Sequence, residues 1–290
     1  IQFNYGFFDF SSLSNFLKRL RENNINTIVI LHSTIDPQTD KTKKLQYISE
    51  ELALCNRLLV HSPSDLNRLK KLGLIDNVTL FPHGIVEVDT YDRKNDFIKY
   101  TKQELHFSTF GFCLPNKGFK ELIQAIKILH QENILCRLTL YTSLYDASIS
   151  EDLLRNLNLL INDLKLTRYV HIDPSFLTDD QIFENLSNTD LVIFPYQLTN
   201  ESASGAVRQG ISSSAPVAVT PVPIFDDVLD VVYQLPGCSP VSIASGLIKW
   251  VNEFYGLPMN AKEIYWREQH SFKLLASRLQ GIIRGLEIDG

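Results

Sequence analysis

The stretch HFSTFGFCLPNKGFKELIQAIKIL, residues 106–129, changes from one periodicity to another within a few residues. Its first five positions, 106–110, are rich in aromatic and β-branched types that suit a strand. After the turn, Phe119, Leu122, Ile123, Ile126 and Leu129 recur at helical spacing and make one apolar face. A strand, a short glycine-containing turn and an amphipathic helix form one β-α unit. Working outward, the unit recurs along most of the chain. Compact strand-like runs stand at 1–5, 27–31 (TIVIL), 57–60 (RLLV), 78–81, 137–141, 169–172, 191–194 and 216–220, with helices expected near 150–163, 179–187 and 203–212. Leu13, Phe16, Leu17 and Leu20 predict an earlier helix face. Ser62, Pro63 and Asp65 read as a helix start, and Gly73 as its left-handed end. Regular alternation of this kind implies parallel sheets covered by helices on both faces. The polar stretch 89–104 lacks periodicity and is taken as a linker, so the expected architecture is bilobed α/β. Ligands of such sheets bind at the carboxyl ends of strands, which points to the cleft between the lobes. A further helix is expected over about 261–285, from Phe272, Leu275, Leu279 and Ile282.

Composition narrows the classes. The chain has 290 residues, with 28 Lys+Arg against 33 Asp+Glu and a net charge of -5. The mildly acidic balance argues against a nucleic-acid scaffold, which shows a basic face. No unbroken apolar run approaches the roughly 20 residues of a membrane span. Four cysteines, Cys55, Cys113, Cys136 and Cys238, include no CxxC pair and are too few for a disulfide scaffold. A reduced, cytoplasmic setting is the simplest reading. The sequence starts at Ile1 in a strand-like run, without an initiator methionine or a signal peptide, and is expected to be part of a longer chain.

Two loops carry candidate chemistry. In the turn 110–118, Gly111 allows close backbone approach, and Lys117-Gly118 puts an ammonium at a helix mouth, which suits a phosphate. The plain alternative is a strand–helix turn with a solvated lysine. Neither GxGxxG nor a Walker-type motif occurs. The second loop is PYQLTNESASGAVRQGI, residues 195–211. Small residues at Ser204, Gly205 and Ala206 leave helix N–H groups uncovered, as a diphosphate requires. Glu201 before them suits sugar hydroxyls better than phosphate; the alternative is that it caps its own helix. His32 directly follows a strand, at the end where cleft residues stand, and His83 does so with less weight. Asp179-Asp180 and Asp226-Asp227 are read as helix starts, and no set of residues has metal-ligand spacing. Gly-x-Ser-x-Gly is absent.

Taken jointly, FGFCLPNKGFKELIQAI, DLVIFPYQ, ESASGAVRQG and APVAVTPVPIFDD resemble the retaining glycosyltransferases of family 4, which have the GT-B fold. The resemblance covers roughly 104–260 as the donor lobe, with TIVILHS, RLLVHSPSDLNRL and VTLFPHGI similar to the second half of the acceptor lobe. It implies two Rossmann-like lobes facing a cleft, the first truncated at its N-terminus. The domains are then 1–100 (acceptor side), 101–262 (donor side) and a C-terminal helix, 263–290, returning to the first lobe. Two positions depart from the family pattern: the second Glu of Glu-x7-Glu is Gln209, and the arginine of the donor-lobe turn is Phe112.

The resemblance implies that Lys117 balances the diphosphate, with Gly111 and the backbone near Ser204, Gly205 and Ala206. Glu201 holds the transferred sugar, Gln209 the ribose, and Phe176 and Leu177 flank the nucleobase. His32 lies near the anomeric carbon, so Glu201 and His32 are the expected catalytic residues. It implies a bacterial-type hexosyltransferase that retains configuration without a metal or other cofactor. The donor is a nucleotide diphosphate sugar, and the acceptor is a glycan or lipid-linked acceptor of surface polysaccharide synthesis. No nucleic acid is expected. Other domains of a longer chain are expected as partners. Peripheral association with the inner face of the plasma membrane is compatible with the same reading. Two rivals stand beside it: a sugar-nucleotide epimerase on the same fold, and a non-catalytic GT-B-like binding module, which Gln209 and Phe112 favour.

Overall fold

The computed structural model describes residues 1–38, 40–87, 104–145, 147–199, 201, 203–259 and 261–288. The chain packs as two compact units. The first takes in Ile1–Gly84, Asn200–Ser204 and Gln269–Gly290, and the second Ile85–Thr199 and Gly205–Glu268. Of the expected linker 89–104, all but Glu104 lies outside the described residues.

The first unit carries a four-stranded parallel sheet in the order β1-β2-β3-β4. The strands are β1 (Gln2–Phe3), β2 (Ile28–Leu31), β3 (Arg57–Val60) and β4 (Val78–Leu80). Helix α1 (Phe10–Glu22) joins the first two, α2 (Ser49–Ala53) precedes β3, and α3 (Pro63–Lys71) follows it. Asp9 starts α1 by accepting the Ser12 N–H at 2.8 Å. The buried stripe of α1 is Phe10, Leu13 and Leu17, whereas Phe16, expected on that face, is 47% exposed. At 100° per residue, starting the stripe at Phe10 turns position 16 away from the sheet. Ser62 caps α3 with Pro63 in its first turn, as the sequence predicts.

Asp65 in α3 is fully buried and held by three side chains. It accepts from the Thr34 hydroxyl at 2.5 Å, the Ser62 hydroxyl at 2.6 Å and Arg68 Nη2 at 2.7 Å. Arg68 Nε also donates to the Thr34 oxygen at 2.7 Å, so the group ties α3 to the segment after β2. Hydrogen bonds to a buried charge are worth more than neutral ones. Asp65→Asn is expected to cost the first unit about 2 kcal/mol. Both tryptophans, Trp250 and Trp266, belong to the second unit. The loss should thus appear in urea unfolding followed by far-ultraviolet circular dichroism and leave the tryptophan-monitored transition in place.

The helix expected over 261–285 is two helices, α9 (Ala261–Gln269) and α10 (Phe272–Ile288), numbered after α4–α8 below. The break has a local cause: the Ser271 hydroxyl accepts the Leu274 N–H at 3.2 Å and starts α10 afresh. The two helices fall in different units. Trp266 of α9 sits in the core of the second, while α10 packs in the first. There a β-carbon on Gly84 would stand 2.6 Å from the Phe272 ring, and Asn26 Nδ2 donates to the Leu286 carbonyl at 3.2 Å.

The second unit holds six strands, all parallel, in the order β10-β9-β8-β5-β6-β7. They are β5 (Leu105–Phe110), β6 (Cys136–Tyr141), β7 (Val170–Asp173), β8 (Leu191–Phe194), β9 (Val217–Val219) and β10 (Tyr233–Gln234). The helices are α4 (Phe119–Gln131), α5 (Ala147–Asp163), α6 (Asp179–Ser187), α7 (Gly205–Ser212) and α8 (Pro240–Glu253). One core, with Phe119, Leu122, Ile126, Leu138 and Trp250, lies under α4, α5 and α8. The other, with Phe194, Tyr196, Val207 and Phe225, lies under α6 and α7. From β5 the chain builds outward through β6 and β7, then returns to place β8 on the other side of β5. The order reverses between β5 and β8, which opens a crevice at their carboxyl ends. The loops leaving those two strands are the ones the sequence singles out.

Candidate functional site

Within the second unit, the loop after β5 runs Gly111–Gly118 and ends in a short 3-10 turn, Pro115–Lys117. Gly111 has φ 143 and Gly118 has φ 72, both in the region that favours glycine. A β-carbon on Gly118 would lie 1.8 Å from the Pro195 carbonyl oxygen, so this turn rests directly on the backbone after β8. The Gln197 N–H donates to the Asn116 carbonyl at 2.9 Å and joins the two loops.

Lys117 is 7% exposed, and its ammonium lies over the Tyr196 ring, 4.0 Å from the centroid. That is cation–π distance, and the ring is rigidly placed. Tyr196 is fully buried against Phe194 and Phe225, and its carbonyl accepts from the Thr220 hydroxyl at 2.6 Å. Lys117 is therefore not the solvated turn lysine of the plain alternative. Sequence reasoning names Lys117 and overlooks Tyr196, although "FPYQ" places that ring two residues past the strand.

Helix α7 begins on the same side. Position 111 faces its first turn, because a β-carbon there would meet the Ala206 β-carbon at 3.8 Å and the Tyr196 hydroxyl at 3.6 Å. Gly205 is exposed and opens the helix. So Gly111, Lys117, Tyr196, Gly205 and Ala206 lie around one crevice end. Arg208, 2% exposed, pairs with Asp227 and ties α7 to the segment after β9. Burial pushes the guanidinium pKa down, and the adjacent carboxylate acts against that shift. Asp226-Asp227 is consequently not a helix start. Asp226 ends the 3-10 turn Pro223–Phe225, with its pKa raised by burial and then by Asp227. Asp179-Asp180 does begin a helix, α6, behind a capping box of Thr178 and Gln181.

Gln209 donates from Nε2 to Asp179 Oδ1 at 2.9 Å, so its amide already engages a carboxylate of α6. Leu177 packs on the neighbouring core, while Phe176 is 82% exposed. Phe112, where the family pattern has arginine, packs edge-on against Tyr145 with centroids 5.2 Å apart. Glu201 is exposed and Ser204 buried; both group with the first unit rather than with Gly205 and Ala206.

In the first unit, three histidines follow three consecutive strands: His32 after β2, His61 after β3 and His83 just past β4. The His32 and His61 rings are 5.2 Å apart, and those of His61 and His83 5.3 Å. His32 Nδ1 lies 3.3 Å from His61 Nε2, and His32 Nε2 lies 2.6 Å from Gln2 Oε1. Burial lowers the His32 pKa, which favours the neutral ring. His61 is 5% exposed and escapes sequence reasoning, although His-Ser follows both β2 and β3. A groove of about 520 Å³ between β4 and α10, lined by Arg57, Phe81, Arg278 and Gly281, holds none of these candidates.

Cysteine nucleophiles find no support: burial raises the pKa of all four thiols, that of Cys55 to about 11 and that of Cys136 to about 12. Among the described residues, no three His, Cys, Asp or Glu side chains converge as a metal site, and no helix is long and apolar enough to cross a membrane.

No family model and no curated protein matches the sequence. Solved structures do match. The UDP-forming α,α-trehalose-phosphate synthase of Burkholderia xenovorans superposes with a TM-score of 0.76 at 9% identity, over 95% of this chain and 72% of that one. Sucrose-phosphate synthase of Thermosynechococcus elongatus gives 0.72 at 14% identity, over 96% and 72%. Anabaena HepE, solved in complex with UDP and glucose, gives 0.74 at 12% identity, over 96% and 76%. The fold is that of the GT-B glycosyltransferases, as the sequence resemblance implies.

Proposed function

We propose that the chain is a retaining glycosyltransferase of the family-4 type that binds a nucleotide diphosphate sugar on its second unit. The observation that carries this reading is the crevice end between β5 and β8. There a buried lysine on an aromatic platform, a glycine turn and the small first turn of α7 meet in a GT-B-like fold. Cation and helix N-terminus together suit a diphosphate. Lys117 takes the diphosphate with Gly111, Gly205, Ala206 and Ser204. Gln209, Phe176 and Leu177 serve the nucleoside, and Glu201 the transferred sugar. His32 acts in turnover. In the transfer, the bond from the anomeric carbon to the diphosphate oxygen breaks and the leaving group keeps the electron pair. The acceptor hydroxyl forms the new bond on the same face, and its proton passes to the departing phosphate. Stabilising the charge that develops on that phosphate is then the main catalytic task, and it falls to Lys117.

Support for a UDP-sugar comes from the neighbours, one described as UDP-forming and another solved with UDP and glucose. The proposed acceptor is a glycan or lipid-linked glycan of a bacterial surface polysaccharide, with the enzyme acting in the cytoplasm or at the inner membrane face. A panel of UDP-, GDP- and ADP-sugars tests the reading by thermal shift, since a ligand at 100 times its dissociation constant stabilises by about 2.7 kcal/mol. One donor is expected to stabilise the tryptophan-reported unit and to release nucleoside diphosphate slowly. Release is expected to persist in EDTA; loss in EDTA with recovery in Mg²⁺ or Mn²⁺ would contradict the metal-free part of the proposal. The non-catalytic reading is favoured by Gln209, engaged by Asp179 where the family pattern has a second glutamate. It calls for binding without release.

A further inference from the structure

The contacts of His61 determine which nitrogen of His32 exchanges a proton. His61 Nδ1 lies 3.1 Å from the Phe81 main-chain carbonyl. A carbonyl oxygen accepts and never donates, so this nitrogen carries a hydrogen. A neutral His61 then presents a lone pair at Nε2, and the group facing it at 3.3 Å, His32 Nδ1, must be the donor. The Phe81 carbonyl is itself fixed, because the Phe81 N–H pairs with Val60 at 2.8 Å and continues the sheet. The His32 main chain is held likewise, its N–H donating to the Phe3 carbonyl at 3.1 Å.

We propose that His61 is a positioning residue for His32: it accepts the Nδ1–H and leaves Nε2 as the atom that gains and loses a proton. The remaining contact accommodates both states. When His32 is protonated, Nε2–H donates to Gln2 Oε1, the 2.6 Å contact in the structure. When His32 is neutral, a half-turn of the exposed Gln2 amide brings its NH₂ to the lone pair. His83 is the further titratable ring against the pair. Its own Nδ1 lies 3.1 Å from the Gly84 carbonyl, which fixes its hydrogen in the same way.

The consequence for chemistry rests on the transferase reading above. A neutral His32 offers an acceptor at Nε2 and so selects a ligand group that donates, such as a sugar hydroxyl. A phosphate oxygen would need the ring protonated first. The assignment of the hydrogen itself does not depend on that reading.

Two-bond ¹H–¹⁵N correlation spectra of the histidine-labelled chain test it, with His32→Gln to identify the His32 signals. Across the titration, His32 Nδ1 is expected to stay in the protonated, pyrrole-like range, while Nε2 moves out of the unprotonated, pyridine-like range as the pH falls. His61→Phe keeps an aromatic ring but removes the acceptor, and is expected to shift the His32 hydrogen from Nδ1 towards Nε2. A pyridine-like Nδ1 in the native chain at neutral pH would overturn the proposal. So would a His61 with both nitrogens protonated there, or a His32 tautomer unchanged in His61→Phe. The native spectra decide alone if that variant fails to fold. None of these readouts involves turnover, so failure of the transferase reading would register separately, as absence of donor binding.

Discussion

Gly118→Ala is expected to destabilise the second unit by about 4 kcal/mol, from two penalties that act together. The residue has φ 72, where an added β-carbon costs roughly 1–2 kcal/mol. The same carbon would stand 1.8 Å from the Pro195 carbonyl oxygen and 2.7 Å from its carbon. Those are backbone atoms of the β8 loop, so no rotamer change relieves the overlap. One of the two loops must shift, at a cost of the order of 1–3 kcal/mol for forced repacking. Gly256 separates the two terms, since it has φ 78 but nothing within 4 Å of a built β-carbon. Gly256→Ala should therefore cost only the conformational part. Trp250 and Trp266 both lie in the second unit, so tryptophan emission during thermal or urea unfolding reads the two variants on the unit concerned. At about 2–4 °C per kcal/mol for a unit of this size, Gly118→Ala should lower its midpoint by roughly 8–16 °C. Equal shifts for the two variants would mean that the 111–118 loop does not rest on Pro195. The crevice geometry built on that contact would then be wrong.

What could be read in advance follows the range over which each signal acts. Strands β3, β5, β6 and β8 are apolar or aromatic runs bounded by turn residues, and their positions in the sequence are nearly those in the structure. Capping is equally local. Ser62-Pro63 marks α3, and the same pair at Ser239-Pro240 starts α8, which the periodicity reading leaves unassigned. Phases and breaks are harder, because a residue outside the repeat or a single hydrogen bond can override a continuing pattern. Phe10 joins the α1 stripe and leaves Phe16 outside it, and the Ser271 hydrogen bond divides what reads as one helix.

The site was legible where it sits on a strand–turn–helix punctuation, as at Gly111 and Lys117, and at the ends of strands, as at His32. Partners far apart in sequence were not. Tyr196 reaches Lys117 only because β8 returns beside β5, and Asp227 reaches Arg208 only through the loop after β9. His61 meets His32 because β2 and β3 are neighbours in register, with Leu31 opposite Val60. Each histidine is the next residue along its strand, so strand pairing alone would have put the two rings together.

Replacing the Lys117 ammonium is expected to weaken the binding of nucleoside diphosphate and of the full donor alike, because both carry the same phosphates. Lys117→Met is the suitable variant, since it retains an unbranched apolar stem over Tyr196 and removes only the charge. Loss of a charge-assisted contact is worth about 1.5–3 kcal/mol, or roughly ten- to a hundredfold in affinity. The buried setting of the ammonium favours the upper end, because a contact shielded from water is weakened less by solvent and salt. Glu201→Ala is expected to behave differently. Its carboxylate is assigned to sugar hydroxyls, so nucleoside diphosphate affinity should stay nearly unchanged while donor affinity and turnover fall. Calorimetric titration of both variants with UDP and with the UDP-sugar chosen by the thermal-shift panel separates the two roles. A similar loss for both ligands in Glu201→Ala would move that carboxylate to the phosphates. An unchanged UDP affinity in Lys117→Met would leave the lysine as a packing element of the Tyr196 platform, and the diphosphate would have to be held by the α7 backbone alone.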